Sequence, residues 1–183
     1  MQKKLLFILF GLLLFGGSVG YAKAGDHYNE LYWKPQSIEK QYQIMGYQSI
    51  QAAVKKFETL YQKKVSLPTK KPPIEITHSF GIIDSYSYPP KLEIEYINEE
   101  RPKEQIKMFV IPEDQGIYKK APVAQLYTLD DGGKAIQLRD RYHNILIFQK
   151  GGWEYILANS KRIEEKVSIH DLIDMANSIG EKD

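Results

Sequence analysis

The chain of 183 residues contains no cysteine. No disulfide can therefore stabilise the fold, and no thiolate can act as a nucleophile or as a metal ligand. A lipid anchor attached through a cysteine thiol is excluded for the same reason. Chains of this size can bury enough apolar surface to fold without a cross-link, so we expect the core to supply the stability.

Strong net charge is also lacking. Lys and Arg number 25 against 23 Asp and Glu, which gives a formal charge of +2. Three of the lysines precede Gly25, so acidic residues outnumber basic ones by one in the remaining chain. A nucleic-acid-binding protein would show a clear basic excess. We therefore expect no nucleic-acid partner.

Long apolar runs are confined to the N-terminus. A pair of lysines precedes an apolar run over Leu5–Phe15, and a small-x-small pattern ends at Ala24. This order is typical of a secretory signal peptide, which we assign to residues 1–24 with cleavage between Ala24 and Gly25. The run is about half of the roughly 20 residues that a membrane span requires. We expect a secreted or envelope-associated protein outside the cytoplasmic membrane; the alternative is an uncleaved leader, which would be its link to the membrane.

The rest of the chain divides into two parts. Residues 25–48 form an N-terminal extension rich in aromatic and polar residues, and residues 49–183 form a single domain. Within the extension, the spacing of apolar residues predicts a short helix from Ser37 to Met45. The extension either packs on the domain or extends away from it.

In the order of the sequence, one amphipathic helix precedes the predicted strands of the domain and another follows them. One apolar stripe follows Ser49 and the other follows Ser168, and both serines suit the N-cap position. Between them, alternating apolar and polar residues separated by turn signals predict antiparallel strands. The segments with this pattern are residues 74–80, 92–96, 106–110, 135–138 and 153–157, and residues 125–129 are a candidate for one more. Residues 145–148 are apolar on both faces, which indicates a central strand. This order indicates an α+β fold, with one twisted antiparallel sheet of about six strands and two helices packed on one face.

The motifs of common hydrolases and metal sites are missing. The sequence has no G-x-S-x-G elbow, and its histidines lack the spacings that place two ligands on one helix or strand face. These histidines are His27, His78, His143 and His170. The run of two aspartates and two glycines at residues 130–133 is explained by a hairpin turn. We therefore predict no catalytic residue, no metal site and no cofactor.

Glu93 and Glu95 are the best candidates for a pair of catalytic carboxylates. They lie two residues apart on a predicted strand, so their side chains share one face at a separation of about 7 Å. Glycosidases use carboxyl pairs at comparable separations. The same alternation is typical of a solvated face of an antiparallel sheet, and we favour that interpretation.

Aromatic residues outside the strand patterns are the candidate ligand-binding residues. Tyr86 and Tyr88 lie in the loop sequence DSYSYPP, and Trp33 lies with Tyr28 and Tyr32 in the extension. Exposed rings of this kind can stack on sugars or hold a peptide. The alternative is that they pack back onto the domain, as aromatic residues generally do.

Several motifs follow one another in an order that resembles a known family. They are VSLP at residues 65–68, LEIEY at 92–96, LDDGGKA at 129–135, ILIF at 145–148, GGWEYIL at 151–157 and LIDMANSI at 172–179. Through them, the stretch from Ser49 to Ile179 resembles domain-of-unknown-function family 4367, a family of exported or membrane-anchored domains in spore-forming Gram-positive bacteria. That family is related to the extracytoplasmic domains of anti-sigma-factor-like proteins. The resemblance implies a non-enzymatic role at the outer surface of the cell and no catalytic residues.

Three functional hypotheses follow from the sequence. The first is a secreted or cell-surface binding or regulatory domain that contacts a protein or an envelope component and is not an enzyme. The second is a carrier or sensor that holds a lipid or acyl chain in a cavity between sheet and helices. The third is a hydrolase that uses carboxylates to act on cell-wall material.

Overall fold

The computed structural model describes residues 37–180, and the compact unit that contains the sheet begins at Ile38. Its α-helices are α1 (Ile38–Ile44), α2 (Ile50–Tyr61) and α3 (Ile169–Asn177). Its strands are β1 (His78–Asp84), β2 (Lys91–Ile97), β3 (Gln105–Pro112), β4 (Val123–Thr128), β5 (Lys134–Leu138), β6 (His143–Lys150) and β7 (Trp153–Ser160). Within this part of the chain, no helix is both long enough and apolar enough to cross a membrane.

All seven strands belong to one antiparallel sheet with the order β1-β2-β3-β7-β6-β5-β4. Strands β1 to β3 form one meander and β4 to β7 form another, and the two meet where β3 pairs with β7. The α+β class and the single antiparallel sheet are confirmed, but the expected number of about six strands is too low. The first strand begins at His78 rather than at residue 74: Ile74 and Ile76 alternate in burial with exposed neighbours, as residues of a strand would, but they lie in an irregular segment before β1.

Helices α2 and α3 pack on the same face of the sheet. The ring of Phe57 in α2 lies 5.1 Å from the Trp153 ring of β7, measured between centroids. Leu172 of α3 is fully buried in the same hydrophobic cluster. The strand residues that face these helices include Ile94, Met108, Leu146 and Leu157. Burial of such side chains, at about 25 cal/mol per Å² of apolar surface, is the main force that holds the helices to the sheet.

Local hydrogen bonds determine where both of these helices begin. The Ser49 side chain accepts a hydrogen bond from the Ala52 backbone N–H at 3.3 Å. Ser168 and Asp171 form a reciprocal capping box, in which each side chain accepts from the backbone N–H of the other. Each cap supplies an acceptor for backbone N–H groups of the first helical turn, which have no hydrogen-bond partner within the helix.

The opposite face of the sheet is buried as well, and this corrects the expectation of a solvated face. Glu93 and Glu95 are only 8% and 3% exposed. Helix α1 contributes to this burial, because the ring of Tyr42 stacks on Phe80 of β1 at 4.2 Å. The expected arrangement of two helices on one face therefore needs a correction: the short helix predicted from Ser37 to Met45 is present as α1 and packs on the other face of the sheet.

Candidate functional site

The loop between β1 and β2 exposes two tyrosine side chains completely. Tyr86 is 102% exposed and Tyr88 is 97% exposed, relative to a fully accessible residue. Neither ring packs back onto the domain, so that alternative is wrong for these two residues. We call the segment from Asp84 to Pro90 the aromatic loop.

A carboxylate holds the backbone of the aromatic loop in place. The Asp84 side chain accepts hydrogen bonds from the backbone N–H groups of Tyr86 at 3.0 Å and Ser87 at 3.2 Å. It also accepts from the Ser87 hydroxyl, and Lys91 lies 3.4 Å from it. Burial alone would raise the pKa of Asp84, but the hydrogen bonds from Ser87 and Tyr86 and the charge of Lys91 hold it below its usual value. The carboxylate therefore stays ionised at neutral pH and keeps accepting these bonds.

The far end of the aromatic loop is tied to helix α2. The Tyr61 hydroxyl donates a hydrogen bond of 2.7 Å to the backbone carbonyl of Pro90. Because Tyr61 is the last residue of α2, the loop is fixed both at its own strand and at the helix above the sheet. A loop held in this way loses little conformational entropy when it binds a partner.

The other aromatic candidates lie outside the described residues. These are Trp33, Tyr28 and Tyr32, and the proposed cleavage position between Ala24 and Gly25 lies outside them too. Their assignments remain predictions from the sequence.

Glu93 and Glu95 lie in a closed cluster with a lysine and two tyrosines. The Lys107 ammonium is 2.6 Å from Glu95 and 3.1 Å from Glu93. The Tyr42 hydroxyl donates to Glu95 Oε2 at 2.7 Å, and the Tyr47 hydroxyl lies 2.8 Å from Glu95 Oε1. Lys107 is directly opposite Glu95 in the β2–β3 register, so the hairpin itself brings the opposite charges together.

The two carboxyl groups of this cluster differ in acidity. Burial raises the pKa of Glu93 above its usual value, and the charge of Lys107 offsets only part of that effect. Burial acts on Glu95 in the same direction, but Lys107 and the hydrogen bond from Tyr42 hold the pKa of Glu95 below its usual value. Burial and the neighbouring carboxylates raise the pKa of both tyrosines, so their hydroxyls remain protonated donors.

This geometry suits a structural role better than catalysis. A glycosidase leaves its two carboxyl groups open to the substrate. Here Glu95 accepts three hydrogen bonds from Lys107, Tyr42 and Tyr47, and both glutamates are buried. The carboxylates connect the segment around α1 to the sheet, and the arrangement gives no support to the hydrolase hypothesis.

The histidines of the described region are separated from one another. His78 lies 2.8 Å from Glu39, His143 lies 3.1 Å from Asp140, and the His170 ring contacts the Tyr127 ring. No group of three or more potential metal ligands is found within residues 37–180.

Aromatic rings fill the space between α2 and the sheet, where an acyl chain would have to lie. Phe57 and Tyr61 both pack against Trp153, at centroid distances of 5.1 and 5.5 Å. The Trp153 N–H donates to the Lys64 carbonyl at 2.7 Å. A shallow cavity of about 450 Å³ lies on the outer side of α2 and is lined by polar residues. These are Lys55, Glu58, Thr59, Gln62, Lys63 and Lys64, so this packing does not favour the carrier hypothesis.

Asp84, Lys107, Tyr42 and Tyr47 were missed in the sequence. Asp84 had a readable signal, since Asp often accepts from backbone N–H groups two and three residues later in a turn. Lys107 interrupts an apolar strand pattern, which is a weak sign of a buried partner.

Comparison of the chain with protein-family models, with curated proteins and with solved structures gives no match. The resemblance to family 4367 therefore remains a prediction from the motifs.

Proposed function

We propose that the mature chain is a secreted or cell-surface binding or regulatory domain, not an enzyme, that contacts a protein or an envelope component through its aromatic loop. One observation carries the proposal: Tyr86 and Tyr88 are fully exposed on a backbone that hydrogen bonds hold in place. Large aromatic side chains in this setting are the residue type that dominates binding surfaces.

The chemistry of tyrosine defines what such a loop can recognise. Each ring offers an apolar face that can stack on a sugar ring or fill a pocket in a protein, and each hydroxyl offers one hydrogen bond. Two rings two positions apart, with Ser87 between them, can contact two neighbouring units of a partner. The fixed backbone keeps the entropic cost of binding low.

Export of the protein is part of the proposal. The N-terminal sequence has the features of a signal peptide, and the absence of cysteine means that the domain needs no oxidant in order to mature. A near-neutral charge argues for a partner recognised by shape and stacking rather than by charge. We therefore place the partner outside the cytoplasmic membrane, where the leader would deliver the domain.

The test is a binding measurement with a matched control. The purified secreted protein is incubated with isolated cell envelopes from the producing organism, and the bound fraction is measured after sedimentation. Tyr86→Ala combined with Tyr88→Ala should lower the apparent affinity at least tenfold, on the order of the loss typical of aromatic hot spots. Tyr142→Ala is the control, because Tyr142 is also an exposed tyrosine, at 63%, but lies in the β5–β6 connection. Equal binding by all three proteins would overturn the role of the loop.

A further inference from the structure

The two edges of the sheet differ in how they are protected. At β1, Gln48 exchanges two backbone hydrogen bonds with Gly81, at 2.9 and 2.8 Å, and so covers the middle of that edge. At β4, the other edge, no strand or bridge among residues 37–180 pairs with the outer side. An uncovered edge offers a row of backbone donors and acceptors to another strand.

The outward backbone groups of β4 can be identified from the hairpin. Leu129 N–H donates to the Gly133 carbonyl at 2.8 Å, so residue 129 points its backbone groups toward β5. Because the direction alternates along an antiparallel pair, Leu126 and Thr128 point their N–H and C=O groups outward. The Leu126 side chain is 57% exposed and Val123 is 49% exposed.

Most of the usual protection against edge pairing is missing from β4. Natural edge strands carry charged residues, proline or a bulge that prevent a second strand from adding. The sequence of β4 is VAQLYT, without charge or proline. The sheet has an irregularity between Val123 and Gln125, but the pairing is regular from there to Thr128.

Charges of opposite sign flank the two ends of β4. Lys119 and Lys120 are exposed just before the strand, and Asp130 is exposed just after it. In an antiparallel pair of two β4 strands, the lysines of one copy lie at the end where the aspartate of the other copy lies. A parallel pair would place like charges together.

We propose that β4 is a dimerisation edge, at which a second copy of this chain adds its own β4 in antiparallel orientation. A two-fold axis near Leu126 brings the exposed leucines of both copies together, and the two sheets become one continuous sheet. The interface is isologous, as is usual in symmetric dimers. The aromatic loops lie next to β1, at the outer edges of this sheet, so the inference is independent of the function proposed for them.

The first experiment measures self-association of the purified protein in its native processed form by sedimentation equilibrium. We expect a reversible dimer with a Kd of roughly micromolar size. Leu126→Pro removes an outward N–H that β4 does not use internally, a change that edge strands tolerate, and should weaken the dimer at least tenfold. Leu126→Thr, which keeps the backbone donor, should retain most of the association. A wild-type protein that stays monomeric up to about 1 mM overturns the proposal.

A charge exchange tests the orientation without disturbing the strand. Lys119→Glu with Lys120→Glu in one protein, and Asp130→Lys in another, should each weaken self-association several-fold, because each homodimer then places like charges together. A mixture of the two proteins restores opposite charges at both ends and should form a heterodimer. If both proteins dimerise like the wild type and the mixture shows no preference, the antiparallel β4 interface is excluded.

Discussion

The hydroxyl of Tyr47 lies 2.8 Å from Oε1 of Glu95, although the two residues are 48 positions apart in the chain. Through this contact, the segment that follows α1 is attached to the second strand of the sheet. The same carboxylate accepts a hydrogen bond from Lys107 on the adjacent strand β3. A carboxylate that could have served catalysis is thus occupied in joining three parts of the fold.

The two glutamates of this cluster should respond differently to the same substitution. Glu95→Gln should lower the free energy of unfolding at pH 7 by about 1–3 kcal/mol, because it weakens charge-assisted hydrogen bonds to buried donors. Glu93→Gln should change it by less than about 1 kcal/mol or raise it, because burial already disfavours the charged form of Glu93. Urea unfolding, followed by the fluorescence of the buried Trp153, measures both variants.

The pH dependence of these variants provides an internal control. Folding lowers the pKa of Glu95. The ionised Glu95 carboxylate therefore contributes to the free energy of unfolding above the usual pKa of 4.5, and this contribution is lost as the pH falls through the folded-state pKa. Folding raises the pKa of Glu93. The protonated Glu93 carboxyl group therefore contributes to the free energy of unfolding below pH 4.5, and this contribution is lost as the pH rises through the folded-state pKa. Glu95→Gln should therefore flatten the acid side of the stability profile and Glu93→Gln the side above pH 4.5. Identical profiles would contradict the assignment.

Removal of the lysine should be the most damaging change in the cluster. Lys107→Met leaves two buried carboxyl groups without their ammonium partner and should cost about 3–5 kcal/mol at pH 7. Acidification should recover part of the loss, since protonation removes the buried negative charge. Lys166→Met is the control, because Lys166 forms an ion pair with Glu104 but is 53% exposed, and it should cost less than about 1 kcal/mol. A loss at Lys107 that does not vary with pH would indicate a packing effect instead.

Local chemistry explains which parts of the fold can be read from the sequence. Ser49 and Ser168 begin helices because the groups they pair with lie within three residues, and the structure places both at N-caps. The hairpin strands are readable for the same reason, since short turns connect them. The predicted start of β1 is wrong because Ile74 and Ile76 alternate in burial with their neighbours although they lie in an irregular segment, and a pattern of period two does not distinguish the two cases.

The candidate sites depend on partners that are distant in the chain. Alternation places Glu93 and Glu95 on one face, but only the position of Tyr42 and Tyr47, about fifty residues earlier, shows that this face is buried. A pattern of period two cannot distinguish a face covered by a helix from a face in water. The exposure of Tyr86 was readable only as one of two alternatives, because aromatic residues in loops are found both buried and exposed.

Asp84 should act as a positioning residue for the aromatic loop. Asp84→Ala removes the acceptor of the Tyr86 and Ser87 N–H groups, so their hydrogen exchange should accelerate by about tenfold or more. Envelope binding should weaken although both rings remain. Asp140→Ala is a matched control, because Asp140 accepts from two backbone N–H groups of another loop, at Tyr142 and His143. If Asp84→Ala binds as well as the wild type, preorganisation of the loop plays no part.

Secretion should remove residues 1–24. Mass spectrometry of the protein from the culture medium should identify Gly25 as the first residue, because a small residue at Ala24 completes the cleavage pattern. Ala24→Leu should block processing and retain the chain at the membrane. Lys23→Gln, which changes the tolerated middle position, should be processed normally. Recovery of an intact Met1 terminus from membranes of the wild type would support the uncleaved leader instead.

The contact between β1 and α2 provides a test of how tightly the sheet and helix pack. A Cβ added at Gly81 would lie 2.7 Å from Cβ of Ala53 and 3.3 Å from Cα of Ile50. Both distances are shorter than an ordinary carbon contact, so Gly81→Ala should force the helix away from the strand. We expect a loss of about 1–3 kcal/mol in the free energy of unfolding, the usual effect of overpacking.

A second substitution distinguishes this steric cause from a general effect on the strand. Ala53→Gly alone should cost about 1–2 kcal/mol, through lower helix propensity and the loss of a fully buried methyl group, but combined with Gly81→Ala it makes room for the new methyl group. The double variant should therefore be more stable than the sum of the single effects predicts, by about 1 kcal/mol or more. Ala52→Gly has the same propensity cost at the neighbouring position of α2, which is not among the atoms nearest to a Cβ at position 81, and its effect should simply add to that of Gly81→Ala. If Ala53→Gly is also additive, the close approach of α2 to β1 is not what makes glycine necessary at position 81.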